Sequence, residues 1–335
     1  MKEGTKITTT QDRQNTRTNA GQDVGVRVLQ VGPLMPVVEN AIAAQYDTKR
    51  LPEGEPQSEF LARHAKEVVV AVTSGKYGVN AELMASLPNL EAIVNFGVGY
   101  DGTDMVTARQ RGIVVSNTPD VLNDCVADTA VALLLDTFRS ISAADRFVRR
   151  GAWPEGNFPL TTRLSGKRIG IVGLGRIGRA IARRLDGFGC SISYHNQHPV
   201  KDLDLSHYES LEQLAADSDA LIVSVAGGPS TANLISEDIL NALGENGYLI
   251  NVSRGSVVNE PALIGALVNR EIAGAGLDVF ADEPNVPEIL LTLDNVVLLP
   301  HIASGTTETR EAMADLTLAN LHQFLTEGTL QTPVP

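Results

Sequence analysis

Three side chains able to do acid–base and anion chemistry stand just past apolar runs of strand type. Arg254 follows GYLINVS, Glu283 follows GAGLDVF and His301 follows NVVLLP. In an open parallel sheet the carboxyl ends of the strands share one edge, and ligands bind there. Brought to such an edge, the three suit hydride transfer to a 2-oxo acid. The planar fork of Arg254 can grip the carboxylate. His301 can protonate the carbonyl oxygen as hydride reaches carbon. Glu283 can hydrogen-bond the imidazole, fixing its orientation and favouring its protonated form. Taken singly, each has a blander reading as a surface arginine, a turn glutamate before proline or a capping histidine. Their joint placement makes them a candidate site.

A hydride source is written upstream. Gly173, Gly175 and Gly178 in GLGRIG fit G-x-G-x-x-G, after the strand-like RIGIV and at the start of the helix-like GRAIARRL. That context marks a dinucleotide site. The first glycine makes the tight turn, the second lets pyrophosphate reach the backbone, and the third lets helix and strand touch. The helix N-terminus offers N–H groups and partial positive charge, to which Arg176 adds a full charge. NAD sites usually carry an acid at the end of the next strand. Here that strand ends in Tyr194, His195, Asn196, Gln197 and His198, and the first acid downstream is Asp202. Without a carboxylate, a 2′-phosphate meets no repulsion, and Asn196, Gln197 and His198 can donate to it. This favours NADP(H), with NAD(H) left open.

The elements that must position these groups alternate strand and helix from Val24 onward, which argues for parallel sheets with flanking helices. A first series runs through VRVLQVG, EVVVAVTSG and EAIVNFGVGYDGTD. A second begins near Asp124 with one long helix through VADTAVALLLDTFRSISAADRFVRRG and ends with a helix after His301. The expected fold is α/β: two Rossmann/flavodoxin-like, doubly wound parallel-sheet domains with a cleft between them. Residues 24–123 plus 305–335 form a discontinuous substrate-binding lid domain, residues 124–304 the dinucleotide-binding domain, and residues 1–23 a flexible leader. A chain of 335 residues with 43% hydrophobic content is long enough for two cores. Its net charge of −13 disfavours nucleic acid and anionic lipid as partners. Two cysteines, no metal-ligand spacing, no signal peptide and no bilayer-length apolar run point to a metal-free cytoplasmic protein.

The chain resembles the D-isomer-specific 2-hydroxyacid dehydrogenases, in the branch of glyoxylate/hydroxypyruvate and hydroxyphenylpyruvate reductases. The segments that carry the likeness are NFGVGYDGTD, SNTPDVLNDCVAD, VRRGAWPEGNF, LSGKRIGIVGLGRIG, NVSRGSVVNEPAL, GLDVFADEP and VLLPHIASGT. The resemblance implies that Arg254, Glu283 and His301 are the catalytic set. It implies that backbone groups of Val98 and Gly99 hold the substrate carboxylate, with Gly75 of the SGKYG loop beside them. It assigns Leu174, Gly175, Arg176 and Ile177 to the pyrophosphate, and Asn196, Gln197 and His198 to the adenosine ribose. Asp278 would meet the nicotinamide carboxamide, with Val252 and Ser304 nearby. Trp153 either closes the substrate pocket or caps a helix end, and the stretch Asp124–Phe158 suggests a homodimer surface. Gln197 stands where NADPH-using relatives usually have arginine, and Ala226-Gly227-Gly228-Pro229 replaces a Pro-Leu-Thr-Pro run. The expectation is an NADPH-preferring reductase of a small 2-oxo acid. Its alternatives are an NAD-linked D-2-hydroxyacid dehydrogenase of another substrate range, or a nucleotide-sensing, corepressor-like binding protein.

Overall fold

The computed structural model of the protein describes residues 27–54, 56–201 and 203–335. The leader assigned to residues 1–23 lies outside the described residues, as do Val24 and Asp202. The chain divides into two compact units, one running to Pro119 and resuming over Glu311–Pro335, the other Asp120–Arg310.

The first unit contains β1 (Val28–Gln30), α1 (Pro36–Gln45), β2 (Thr48–Arg50), α2 (Pro56–His64), β3 (Val70–Ser74), α3 (Ala81–Ser86), β4 (Ala92–Phe96), α4 (Met105–Gln110) and β5 (Val114–Ser116). Its strands are all parallel, in the order β2-β1-β3-β4-β5. That is the flavodoxin-like order, with its switch point between β1 and β3. β3 and β4 each begin with three apolar residues and are buried along nearly their whole length, as central parallel strands must be. Asn80 and Asp104 cap α3 and α4, their side chains accepting the N–H groups of Leu83 and Thr107 at 2.8 Å. The segment AELMASLPNL reads as helical to Leu90, but α3 stops at Ser86. Pro88 disfavours helical geometry at Leu87, which sits at φ −110°, ψ 81°.

The second unit contains α5 (Asn123–Arg139), α6 (Ile141–Arg149), β6 (Arg168–Val172), α7 (Arg176–Asp186), β7 (Ser191–His195), β8 (Ser206–His207), α8 (Leu211–Ala216), β9 (Ala220–Val223), α9 (Glu237–Leu243), β10 (Tyr248–Asn251), α10 (Glu260–Val268), β11 (Gly274–Leu277), α11 (Glu288–Leu291) and β12 (Val296–Leu298). Its seven parallel strands run in the order β12-β11-β10-β9-β6-β7-β8. The order reverses at β6 and β9, the switch point of a dinucleotide-binding sheet. The expected single helix from Val126 to Gly151 is two. Ser140 adopts a left-handed conformation, φ 49° and ψ 43°, and the Asp136 carboxylate accepts the N–H and hydroxyl of Ser142, starting α6 afresh. After β12 the chain enters α12 (Thr307–Glu327). Its later turns bury Met313, Thr317, Leu321 and Phe324. The tail beyond it runs beside β5, where Val334 N–H donates to the Val115 carbonyl at 2.8 Å.

Two glycines in β11 set how closely α5 can lie on the sheet. A Cβ at Gly276 would stand 2.8 Å from Thr137 Oγ1 and 3.3 Å from Leu133 Cβ, both on α5. Gly276→Val therefore sets two effects against each other. Strand propensity favours valine, while overpacking against α5 costs about 1–3 kcal/mol. The expected result is a lower urea midpoint at unchanged slope. A midpoint equal to or above wild type would show that α5 does not depend on the bare backbone.

Candidate active site

The turn between β6 and α7 uses its three glycines for three purposes. Gly173 has φ 98°, and a Cβ there would stand 2.8 Å from the Val225 nitrogen. Gly178 lies so close to the turn that a Cβ would meet the Gly173 carbonyl oxygen at 2.3 Å. Gly175, by contrast, has nothing within 4 Å of where its Cβ would be. Its backbone faces open space at the first turn of α7, where the opening N–H groups of a helix have no intrahelical acceptor. Two glycines are needed for packing and the third leaves room, so the turn fits a pyrophosphate. Arg176 and Ile177 open α7. Arg176 is exposed and pairs with Asp120 at 3.0 Å. Leu174 has a buried side chain, and its N–H goes to Asn196 Oδ1 at 2.7 Å. Asn196 is held again through its carbonyl, which faces His207 Nε2 at 3.0 Å. Gln197 and His198 are exposed beyond it.

Since the sheet is parallel, the chain leaves β6, β7, β10, β11 and β12 at one edge. Glu283 and His301 meet there, Oε2 to Nδ1, at 2.7 Å. With Nδ1 facing a carboxylate, that nitrogen carries the proton, and Nε2 is the atom free to exchange one. Glu283 Oε1 also accepts the Phe280 N–H at 3.2 Å. Burial would raise the Glu283 carboxyl, but the hydrogen bond and charge of His301, the Phe280 N–H and the Arg254 charge together hold it below its ordinary value. Arg254 is half-buried, and its Nη1 donates to the Ser253 carbonyl at 2.8 Å.

His301 has φ 54°, left-handed for a residue that carries a Cβ. Asp278 holds it there. The Asp278 carbonyl accepts His301 N–H at 2.8 Å, and the two carboxylate oxygens accept the N–H groups of Ile302 and Ala303 at 2.7 and 2.9 Å. Asp278, expected at the nicotinamide carboxamide, is 0% exposed, with both oxygens engaged in this turn. Burial pushes its carboxyl up, against the pull of those two N–H groups and of His301. Val252 is buried and Ser304 half-buried in the adjoining loops.

Sequence spacing missed the residues that brace Arg254. Asn251, at the end of β10, donates to the Arg254 carbonyl and accepts the Ser253 N–H, both at 3.0 Å. Ser253 Oγ donates to the Val225 carbonyl at 2.5 Å. A Cβ on Gly255 would stand 1.9 Å from the Phe280 carbonyl carbon, so only glycine lets this loop lie on the segment that carries Glu283. The glycine after Arg254 was the one visible signal. Trp153 opens a short 3-10 turn and is 63% exposed. Gly75, Val98 and Gly99 belong to the first unit. There the loops after β3 and β4 touch, and a Cβ at Gly102 would be 2.8 Å from the Gly75 carbonyl oxygen.

Residues 131–303 match the family described as D-isomer specific 2-hydroxyacid dehydrogenase, NAD binding domain. The hydroxyphenylpyruvate reductase of Plectranthus scutellarioides is 44% identical over 92% of this chain and 99% of its own. The 2-ketogluconate reductase of Gluconobacter oxydans is 44% identical over 92% and 98%. Among solved structures, the NADPH-dependent glyoxylate/hydroxypyruvate reductase of Sinorhizobium meliloti, in complex with NADP and malonate, is 46% identical over 92% of this chain and 96% of that one, with a TM-score of 0.86. Likeness of this degree along 92% of the sequence, on a sheet whose edge carries the glycine turn and the Glu283–His301 pair, makes the chain a member of the D-isomer specific 2-hydroxyacid dehydrogenases, oxidoreductases that work with a nicotinamide cofactor.

Proposed function

We propose that the protein reduces a small 2-oxo acid of the glyoxylate or hydroxypyruvate kind to the D-2-hydroxy acid, with NADPH as preferred donor. The observation that carries this reading is the 2.7 Å bond between Glu283 and His301 at the carboxyl edge of the sheet. The bound nicotinamide supplies the hydride. His301 gives the proton to the carbonyl oxygen from Nε2, and Glu283 stabilises the imidazolium and sets the ring's direction. Arg254 binds the carboxylate through its guanidinium. The first unit's share of substrate binding falls to Gly75, Val98 and Gly99. The compounds for which the relatives are named, hydroxyphenylpyruvate, 2-ketogluconate and glyoxylate or hydroxypyruvate, have a 2-oxo acid in common and differ in what the acid carries. The two free cysteines suit a reducing compartment, and the cytoplasm is the location we assign. A homodimer joined through α6 is the assembly we assign. None of the residues of α6 is buried, and Ile141 and Val148 are both more than half exposed, which leaves that helix open to a partner.

Support for NADPH comes from Asn196. Its Oδ1 is taken by the Leu174 N–H, which leaves Nδ2 as the end of the amide that can donate to a ligand. A donor there suits a 2′-phosphate, whereas a carboxylate would suit the free ribose hydroxyls.

Five outcomes test the proposal. His301→Ala should lower kcat about 10²- to 10⁴-fold, the share typical of a general acid. Arg254→Ala should raise KM about 10- to 100-fold through loss of a charged hydrogen bond. Wild-type kinetics in both variants would remove the site. Glu283→Gln should lower kcat and shift the alkaline fall of the reduction rate to lower pH, because a neutral partner no longer favours the protonated imidazole; an unmoved pH profile would count against the pairing. Asn196→Asp should turn the NADPH:NADH ratio of initial rates toward NADH by about tenfold or more, the effect of ~1.4 kcal/mol. An unchanged ratio would assign cofactor choice elsewhere. Light scattering should give twice the chain mass for wild type and the chain mass for Val148→Glu, and a monomeric wild type would overturn the assembly.

A further inference from the structure

Three consecutive carbonyls of the loop after β4 are tied down by side chains that no functional assignment has used. Asn95 Nδ2, at the end of β4, donates to two of them, Gly97 at 3.0 Å and Gly99 at 2.8 Å. Asn117 Nδ2, just past β5, donates to the one between, Val98, at 2.8 Å. The Gly97 carbonyl takes a second bond from the Thr118 N–H at 3.0 Å, and the Gly97 N–H donates to Thr118 Oγ1 at 3.2 Å. Gly97 itself has φ 126°, which only glycine adopts freely.

In a trans peptide the C=O and the following N–H point in opposite directions. Fixing the carbonyls of Gly97, Val98 and Gly99 on the protein side therefore turns the N–H groups of Val98, Gly99 and Tyr100 away from it. Neither Val98 nor Gly99 donates its N–H to another described residue. A run of backbone N–H groups presented this way is an anion-binding concavity.

Asn95 is held in this orientation at a cost. The residue is 1% exposed, and its Oδ1 is buried with no hydrogen-bond partner. Flipping the amide would put that oxygen against two carbonyl oxygens, so the orphan is the consequence of aiming both donors at the loop. Asn117 is braced from behind by the C-terminal segment. Its carbonyl accepts Thr332 Oγ1 at 2.6 Å, and Asn320 on α12 holds Thr332 through two bonds, at 2.9 and 3.0 Å.

We infer that Asn95 and Asn117 are positioning residues for substrate: by capping the carbonyls of Gly97–Gly99 they aim the Val98 and Gly99 N–H groups at the carboxylate of the 2-oxo acid. The inference rests on the reading of this loop as a carboxylate site. It separates the carboxylate from the rest of the substrate, and so predicts which kinetic constant moves.

Asn117→Leu and Asn95→Leu remove the donors at nearly unchanged volume. Steady-state rates would be measured with NADPH for hydroxypyruvate and for its primary amide, alongside NADPH affinity by fluorescence and thermal melting. In each variant KM for the acid should rise about tenfold or more, the effect of losing well-made hydrogen bonds to an anion. The preference for acid over amide should fall by the same factor, while kcat at saturation and NADPH affinity stay within about twofold of wild type. A variant that binds NADPH but keeps the wild-type preference for acid over amide overturns the positioning role alone. A wild-type enzyme with no such preference overturns the carboxylate reading, and the inference falls with it. If Asn95→Leu does not fold, half-exposed Asn117 decides the question by itself.

Discussion

The 2.7 Å bond between Glu283 and His301 is the constraint around which the second unit is arranged. It requires a carboxylate from the loop after β11 and an imidazole from the loop after β12 to arrive at one point in fixed orientations. Neither loop reaches it by default. His301 must adopt a left-handed backbone, and the segment from Phe280 to Glu283 must lie against Gly255 at a distance that excludes a Cβ. The protein answers with hydrogen bonds from packed side chains to loop backbone: Asp278 for the His301 turn, Asn251 and Ser253 for the loop of Arg254. Hydrogen bonds of this kind give a site its precision.

Two carboxylates within this small region are driven apart in character. Burial lifts Asp278, whereas the bonds to His301 and Phe280 and the charge of Arg254 overcome burial at Glu283 and bring it below its ordinary 4.5. A carboxyl lowered on folding contributes stability that is complete above its unfolded value and disappears as pH falls through the lowered one. Glu283 is therefore held as the anionic partner of the pair at neutral pH. Environments that separate two like groups in this way assign their roles.

Much of this was legible in the amino-acid sequence. The apolar runs ending in Asn251, Leu277 and Leu298 are strands of one parallel sheet, so the placement of Arg254, Glu283 and His301 at a shared edge could be read from their positions just past the runs. The glycine turn was legible because each glycine answers a different steric demand. The break at Ser140 was not, since it depends on Asp136 reaching Ser142 and the apolar periodicity passes through it. Nor were Asn95, Asn117 and Asn251, whose amides act on backbone carbonyls in loops. An asparagine at a strand end has no periodicity and no partner in the sequence, and only the path of the chain shows which carbonyl it meets. The partners of Leu174 and Asp278 were hidden in the same way. Both stand in recognisable motifs, but only the structure shows that the Leu174 N–H goes to Asn196 and both carboxylate oxygens of Asp278 to the His301 turn.

Each unit handles its polar chemistry by controlling peptide direction. In the second, the β6–α7 turn leaves open space at Gly175 and backs that opening with glycines that admit no side chain. In the first, amide side chains tie down one face of the Gly97–Gly99 loop and leave the opposite N–H groups outward. Backbone N–H groups carry no net charge, cannot titrate and have no rotamers to lose, so they receive an anion with little reorganisation. That choice fits a chain whose net charge is −13. An anionic ligand approaching this surface is repelled at long range, and attraction must come from dipoles and a few cations at short range, where screening matters least. It also leaves Arg254 as the cation in the proposed set. Its guanidinium lowers Glu283 as well as serving the substrate in the proposed reaction, so a change at Arg254 alters the Glu283–His301 pair too.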